Sequence, residues 1–73
     1  SDLVEFIIGN DTTNIGEKFK DLEFNENALV VTIVRNNKII IPTGDDCLKI
    51  NDRVIIVSKD KKLLQVDDIF YRW

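Results

Sequence analysis

Hydrophobic and polar positions alternate at the start of the chain. Val4, Phe6 and Ile8 fall on one side and Leu3, Glu5 and Ile7 on the other until Gly9-Asn10-Asp11 stops the run, which predicts a strand. The period then changes. Ile15, Phe19 and Leu22 recur at helical spacing opposite Glu17, Lys18, Lys20 and Asp21, which predicts a short amphipathic helix over 15–22; Asn14 with Glu17 three residues on has the spacing of a capping box. Beyond the polar turn at 25–27, Ala28–Val34 is β-branched and apolar except for Thr32, and predicts a second strand ending at Arg35. Asn36-Asn37 tolerates the positive φ of a tight hairpin, so the apolar run 38–41 predicts a third strand folded back on the second before Pro42-Thr43-Gly44 breaks it. Leu48-Lys49-Ile50 is a short extended piece, Asn51-Asp52 a turn, and Val54–Val57 the centre of a fourth strand over 53–58. Leu63, Val66 and Ile69 or Phe70 return to helical spacing, which predicts a closing helix over 60–71 with Asp60 as its N-cap.

The order β-α-β-β-β-α describes one small α+β domain over 1–73, a mostly antiparallel four-stranded sheet covered by two helices, with no repeat or linker. Strands two to four are apolar on both faces. Simple alternation sets Leu29, Val31 and Ile33 on one side of strand two and Ala28, Val30 and Val34 on the other. Two short helices cover only one face of a sheet, so the second cover is expected from a second copy, a homodimer.

Composition narrows the classes. Of 73 residues, 44% are hydrophobic and 32% charged, ordinary globular proportions in a chain short enough to have a marginal core. The net charge of −3, with basic residues scattered apart from Lys59, Lys61 and Lys62, argues against nucleic-acid binding. Cys47 is the only cysteine, which excludes an internal disulfide and fits a reducing compartment. No apolar run approaches the roughly 20 residues that span a bilayer, and no signal-peptide pattern opens the chain, so direct membrane insertion is not expected.

The chemistry for catalysis is thin. Without histidine there is no imidazole base, no Ser-His or Cys-His nucleophile and no common zinc site, so no enzyme is expected. Cys47 beside Asp45 and Asp46 reads as a small, partly buried hydrophobe, because neighbouring carboxylates disfavour the thiolate. Gly9 and Gly16 match no phosphate-binding loop, and Asn10-Asp11-Thr12 matches the glycosylation pattern by letter only. Asp45-Asp46 and Asp67-Asp68 lack the alternating spacing of a calcium loop, and no metal is assigned to them.

The succession LVEFIIG, Ile15-Gly16-Glu17-Lys18 before Leu22, LVVTIVRNNKIIIP, then LKINDRVIIVSK and a terminal amphipathic segment resembles the TrkA-C family, the C-terminal domain of regulators of potassium conductance, over essentially the whole chain. One departure is Asn51, where the family has Gly before Asp52; Asn is the next most tolerant residue of a left-handed backbone. The resemblance implies a regulatory piece of a larger potassium-uptake protein, cytoplasmic and peripheral to the inner face of the membrane, partnered through that protein with a membrane potassium transporter or channel subunit. It implies paired domains whose packing responds to a ligand, with cyclic di-AMP as the candidate ligand and no other cofactor; NAD or ATP belongs to a Rossmann-type domain absent from this chain. Carried over by position, the cleft between two copies is lined by Leu29, Val30, Val34, Arg35, Asn37, Ile40 and Pro42, with Arg35 facing an anionic group. The alternatives are a structural dimerisation domain without ligand, in which Arg35 only caps its strand, and a regulatory domain of another cation or anion transporter.

Overall fold

A computed structural model describes residues 2–59, 63 and 65–70. Four strands form one antiparallel sheet: β1 (Asp2–Ile7), β2 (Ala28–Arg35), β3 (Lys38–Ile40) and β4 (Arg53–Ser58), in the spatial order β1-β4-β2-β3. The two-residue turn between β2 and β3 places Asn36 and Asn37 at φ 51° and 65°, as a tight hairpin requires, and pairs Arg35 with Lys38.

The register of β2 on β4 slips between Val30 and Thr32, a β-bulge at Val31. Simple alternation fails here. Ala28, Val30 and Ile33 lie opposite Ser58, Ile56 and Val54 on the inner face, whereas Leu29, Thr32 and Val34 lie opposite Val57, Ile55 and Arg53 on the outer one. Val31 and Ile33 therefore do not share a face; Ile33 is fully buried and Val31 is 37% exposed.

The inner face meets the core: Ile33, Val54 and Ile56 from the sheet, Ile8 after β1, Phe19 and Leu48 from the connections, and Val66, Ile69 and Phe70 from the C-terminal segment. Among the described residues, connections with two 3₁₀ turns cover it. The helix expected over 15–22 is replaced by one 3₁₀ turn at Phe19–Asp21. Asn14 (φ 62°) and Gly16 (φ 81°) are both left-handed, which a right-handed helix does not admit. The amides of Gly16, Phe19 and Lys20 donate instead to the carbonyls of Leu48, Asp46 and Gly44, so the segment runs along the 44–48 connection. Nor is there a capping box at Asn14; the amide of Glu17 donates to the Asn14 carbonyl in a turn. In the expected terminal helix the described residues form a 3₁₀ turn at Val66–Ile69, with a capping box between Gln65 and Asp68. Asp60 and the other residues of that stretch at 61, 62, 64 and 71 lie outside the described residues. Phe70 bridges to Phe24 as an isolated antiparallel pair, and Asn25 donates its amide to Ile69, which closes the domain on its second connection. The architecture is thus a four-stranded antiparallel sheet with 3₁₀ turns among its described residues, and the two-helix cover of the expected α+β order is not among them.

Candidate binding groove and sheet face

Two features of the surface follow from this packing. The first is a groove of about 310 Å³ beside the N-terminal half of β2, walled by Phe19, Phe24, Ala28, Leu29, Val30 and the Pro42–Gly44 turn. It exists because β3 pairs with only the last three residues of β2, Ile33 to Arg35, and the chain then leaves the sheet at Pro42, which has no amide to donate. Phe19 and Phe24 meet edge to face with centroids 5.5 Å apart, and Phe24 stacks in a tilted pair with Phe70 at 5.3 Å, so the aromatic wall is supported from behind. Gly44 is needed for a close approach, since a Cβ there would stand 3.1 Å from the Cβ of Lys20.

The second feature is the outer face of the sheet. Leu3, Ile7, Leu29 and Ile39 are 60–74% exposed on it, with Val34, Ile55 and Val57 half-buried between them. Register places Leu3, Val57 and Leu29 in one row and Ile7, Arg53, Val34 and Ile39 in another. Monomeric proteins rarely leave so much contiguous apolar surface in water.

The seven residues expected to line a cleft are distributed between these features. Leu29, Val30 and Pro42 meet in the groove. Val34 and Asn37 border a smaller hollow at the hairpin end, with Ile7, Asn36, Asn51 and Arg53. Ile40 pairs with Ile33 and packs against the core. Arg35 points to the inner side of the sheet and is engaged there. Its Nε donates to Oδ1 of Asp52 at 2.8 Å, and its Nη2 donates to Oδ2 of Asp52 at 2.7 Å and to the carbonyl of Cys47 at 2.9 Å. Asp52 is 1% exposed and also accepts the amide of Lys49 at 2.9 Å. The fork geometry matches a carboxylate edge with two parallel bonds. The hydrogen bonds that Arg35 donates to the Asp52 carboxylate hold the guanidinium pKa above its ordinary value, against the lowering effect of burial.

Sequence reasoning missed this pair and the aromatic wall. Asp52 read as a turn residue because its partner lies 17 positions away, Phe19 read as part of a helix face, and Phe24 was given no role. The only available signal for the pair was a charged residue ending a long apolar strand, which needs a partner if its side chain turns inward. Among the described residues no group of three or more His, Cys, Asp or Glu side chains is placed to hold a metal ion, and no helix is long and apolar enough to cross a membrane.

Comparison with known proteins gives this geometry its context. The family model for the TrkA-C domain matches residues 3–71. A Trk system potassium uptake protein TrkA homolog 2 of Methanosarcina mazei is 37% identical over 68 residues, 93% of this chain and 15% of that protein. A TrkA homolog of Archaeoglobus fulgidus is 32% identical over the same share of this chain, again 15% of its length. A K(+)/H(+) antiporter NhaP2 of Shewanella oneidensis is 29% identical over 77% of the chain and 10% of that protein. The chain therefore spans less than a fifth of these relatives. Among solved structures, one described as an RCK domain with cda superposes with a TM-score of 0.69 at 29% identity, covering 85% of this chain and 86% of that one. With the sheet, the connections and nearly every residue matched, the chain belongs to the TrkA-C domain family.

Proposed function

We propose that this chain is a non-catalytic regulatory domain of a potassium-uptake protein, acting as a pair of domains whose packing responds to a small ligand held in the cleft between them. The observation that carries the reading is the groove beside β2: a concave, mostly apolar recess backed by stacked aromatics, with Leu29, Val30 and Pro42 from the expected ligand set on its walls. The relatives named as potassium uptake proteins support the system, and the neighbour solved with cda supports a small ligand. The antiporter relative supports association with a membrane transporter of some kind. Cyclic di-AMP is the candidate, through the family resemblance. Val34, Asn37 and Ile40 complete the proposed contact set from the hairpin, and Arg35 adds the Nη1 edge of its guanidinium, which neither Asp52 nor Cys47 engages. The proposed setting is cytoplasmic, at the inner face of the membrane, through the rest of the parent protein.

One observation favours a second reading, a structural dimerisation domain without ligand: Arg35 already has a complete carboxylate partner in Asp52 and does not need an anion. Titration calorimetry with cyclic di-AMP separates the two. The ligand-sensing reading expects saturable binding of one ligand per two chains. Absence of heat at high protein concentration supports the structural dimer, and one ligand per chain overturns a site shared by two copies.

A further inference from the structure

Arg35 is the one charged member of the proposed ligand set, and its bonds restrict what it can offer a ligand. We propose that Asp52 is a positioning residue that sets the charge preference of the ligand site. By holding Arg35 it leaves the guanidinium one free nitrogen and no surplus charge, so the site takes a singly charged phosphodiester and rejects a doubly charged phosphate monoester. The inference rests on the ligand-sensing reading above and names the residue that controls its selectivity.

The count of donors comes first. A guanidinium has five N–H groups, one on Nε and two on each terminal nitrogen. Nε and Nη2 are both on Asp52, at 2.8 and 2.7 Å, and Nη2 also donates to the carbonyl of Cys47 at 2.9 Å. The end-on fork needs a hydrogen from each terminal nitrogen, and both on Nη2 are taken, so a phosphate meets Nη1 alone. Charge is the second observation. Asp52 compensates Arg35 at contact distance, and Asp46 and Cys47 act on the guanidinium from the same connection. Lys38 stands opposite Arg35 across the hairpin and is exposed. Two carboxylates thus balance two cations, and no net positive charge is left to draw a dianion. Third, Asp52 is fixed at both its carboxylate and its backbone. It is 1% exposed; Oδ2 accepts the amide of Lys49 at 2.9 Å, its own amide donates to the Lys49 carbonyl at 3.0 Å, and its carbonyl accepts the amide of Ile8 at 2.8 Å. A phosphate that pulled Arg35 away would leave this carboxylate buried without its partner, so the ligand meets the pair as it stands.

The test uses the parent chain with two probes: cyclic di-AMP, whose phosphates are both diesters, and AMP, whose monoester loses its second proton near about pH 6. Titration calorimetry at about pH 7.5 and 5.5 is expected to give one affinity for cyclic di-AMP and a rise of roughly 25-fold for AMP at the lower pH, which is the increase in its singly charged fraction. In nitrogen-15 spectra of the cyclic di-AMP complex, Nη1 of Arg35 is expected to shift while Nε stays fixed. AMP that binds no better at the lower pH overturns the charge preference, and an Nε signal that moves with Nη1 means that Asp52 lets go and overturns its role. Cyclic di-AMP bound with no change at Arg35 overturns this proposal and leaves ligand sensing intact; no binding of either probe overturns both. Asp52→Asn keeps the volume and removes the charge. Its AMP affinity near pH 7.5 is expected to rise above the parent's, and an unchanged affinity counts against Asp52 as the determinant; should it fail to fold, the two measurements on the parent decide.

Discussion

Arg35 and Asp52 are the residues on which the local structure most depends. Asp52 accepts three hydrogen bonds from charged and backbone donors inside the fold, its own carbonyl accepts the amide of Ile8, and the neighbouring Asn51 amide donates back to Ile8. The pair therefore fastens the end of β2, the 47–52 turn and the end of β1 at one point. Removing one partner strands a charge in a place shaped for an ion pair, and Asp52→Ala is expected to cost about 3–5 kcal/mol. In a domain with a marginal core that is a large part of the total, so urea denaturation should find Asp52→Ala mostly unfolded. A variant that unfolds within about 1 kcal/mol of the parent would show that the pair is incidental. The same bond sets the pH behaviour. Because the folded-state pKa of Arg35 is raised, its contribution is complete below the ordinary arginine range and is lost only as pH rises through the raised value. Titration of Arg35 thus removes no stability between about pH 6 and 9.

At the scale of elements, the bulge in β2 matters most. By inserting one extra residue at Val31 it turns Ile33 inward and Thr32 outward, and it sits beside the groove, where bulges commonly re-aim side chains. The consequence is a sharp difference between two similar residues two positions apart. Ile33→Ala is expected to destabilise by about 2–5 kcal/mol, since it leaves a cavity among Val54, Ile40 and the core. Val31→Ala should stay within about 1 kcal/mol, because Val31 is partly exposed. Thermal or chemical unfolding of both variants checks the pair of values; equal losses would mean that β2 runs through without the bulge. The 3₁₀ turn at Phe19–Asp21 belongs to the same scale. It brings Phe19 into the core and onto the groove wall at once, so the wall is held by core packing rather than by the connection alone.

For the whole molecule, burial is one-sided. Among the described residues the inner face of the sheet is sealed by connections and the outer face is not, so under the pairing proposed above the apolar surface of Leu3, Ile7, Leu29 and Ile39 is left for a partner to bury. Mass action then couples stability to concentration. Under the pairing proposed above, the midpoint of thermal unfolding is expected to rise as protein concentration is raised a hundredfold. Scanning calorimetry at several concentrations checks this, and a midpoint independent of concentration in the parent would mean that the folded unit is the monomer.

Much of this was legible in the chain because it is written in short-range pattern. All four strands follow from runs of β-branched residues and their punctuation, and the hairpin from two adjacent asparagines that accept positive φ. The doubly apolar character of the strands marked a face that the described residues leave exposed. The family followed from the order of those same pieces. What only tertiary structure decided depends on groups far apart in sequence. The helical spacing of Ile15, Phe19 and Leu22 satisfies a helix, yet the backbone of that segment bonds to the 44–48 connection, and such long-range bonds leave no periodic trace. The bulge shifts every later inward position of β2 by one, and it arises from fitting β2 to β4, not from β2 alone. Arg35 offered a free guanidinium to a reader of the sequence; folding brought Asp52 to it from 17 residues away, because a charge turned beneath the sheet is stable only with a partner that accepts its bonds.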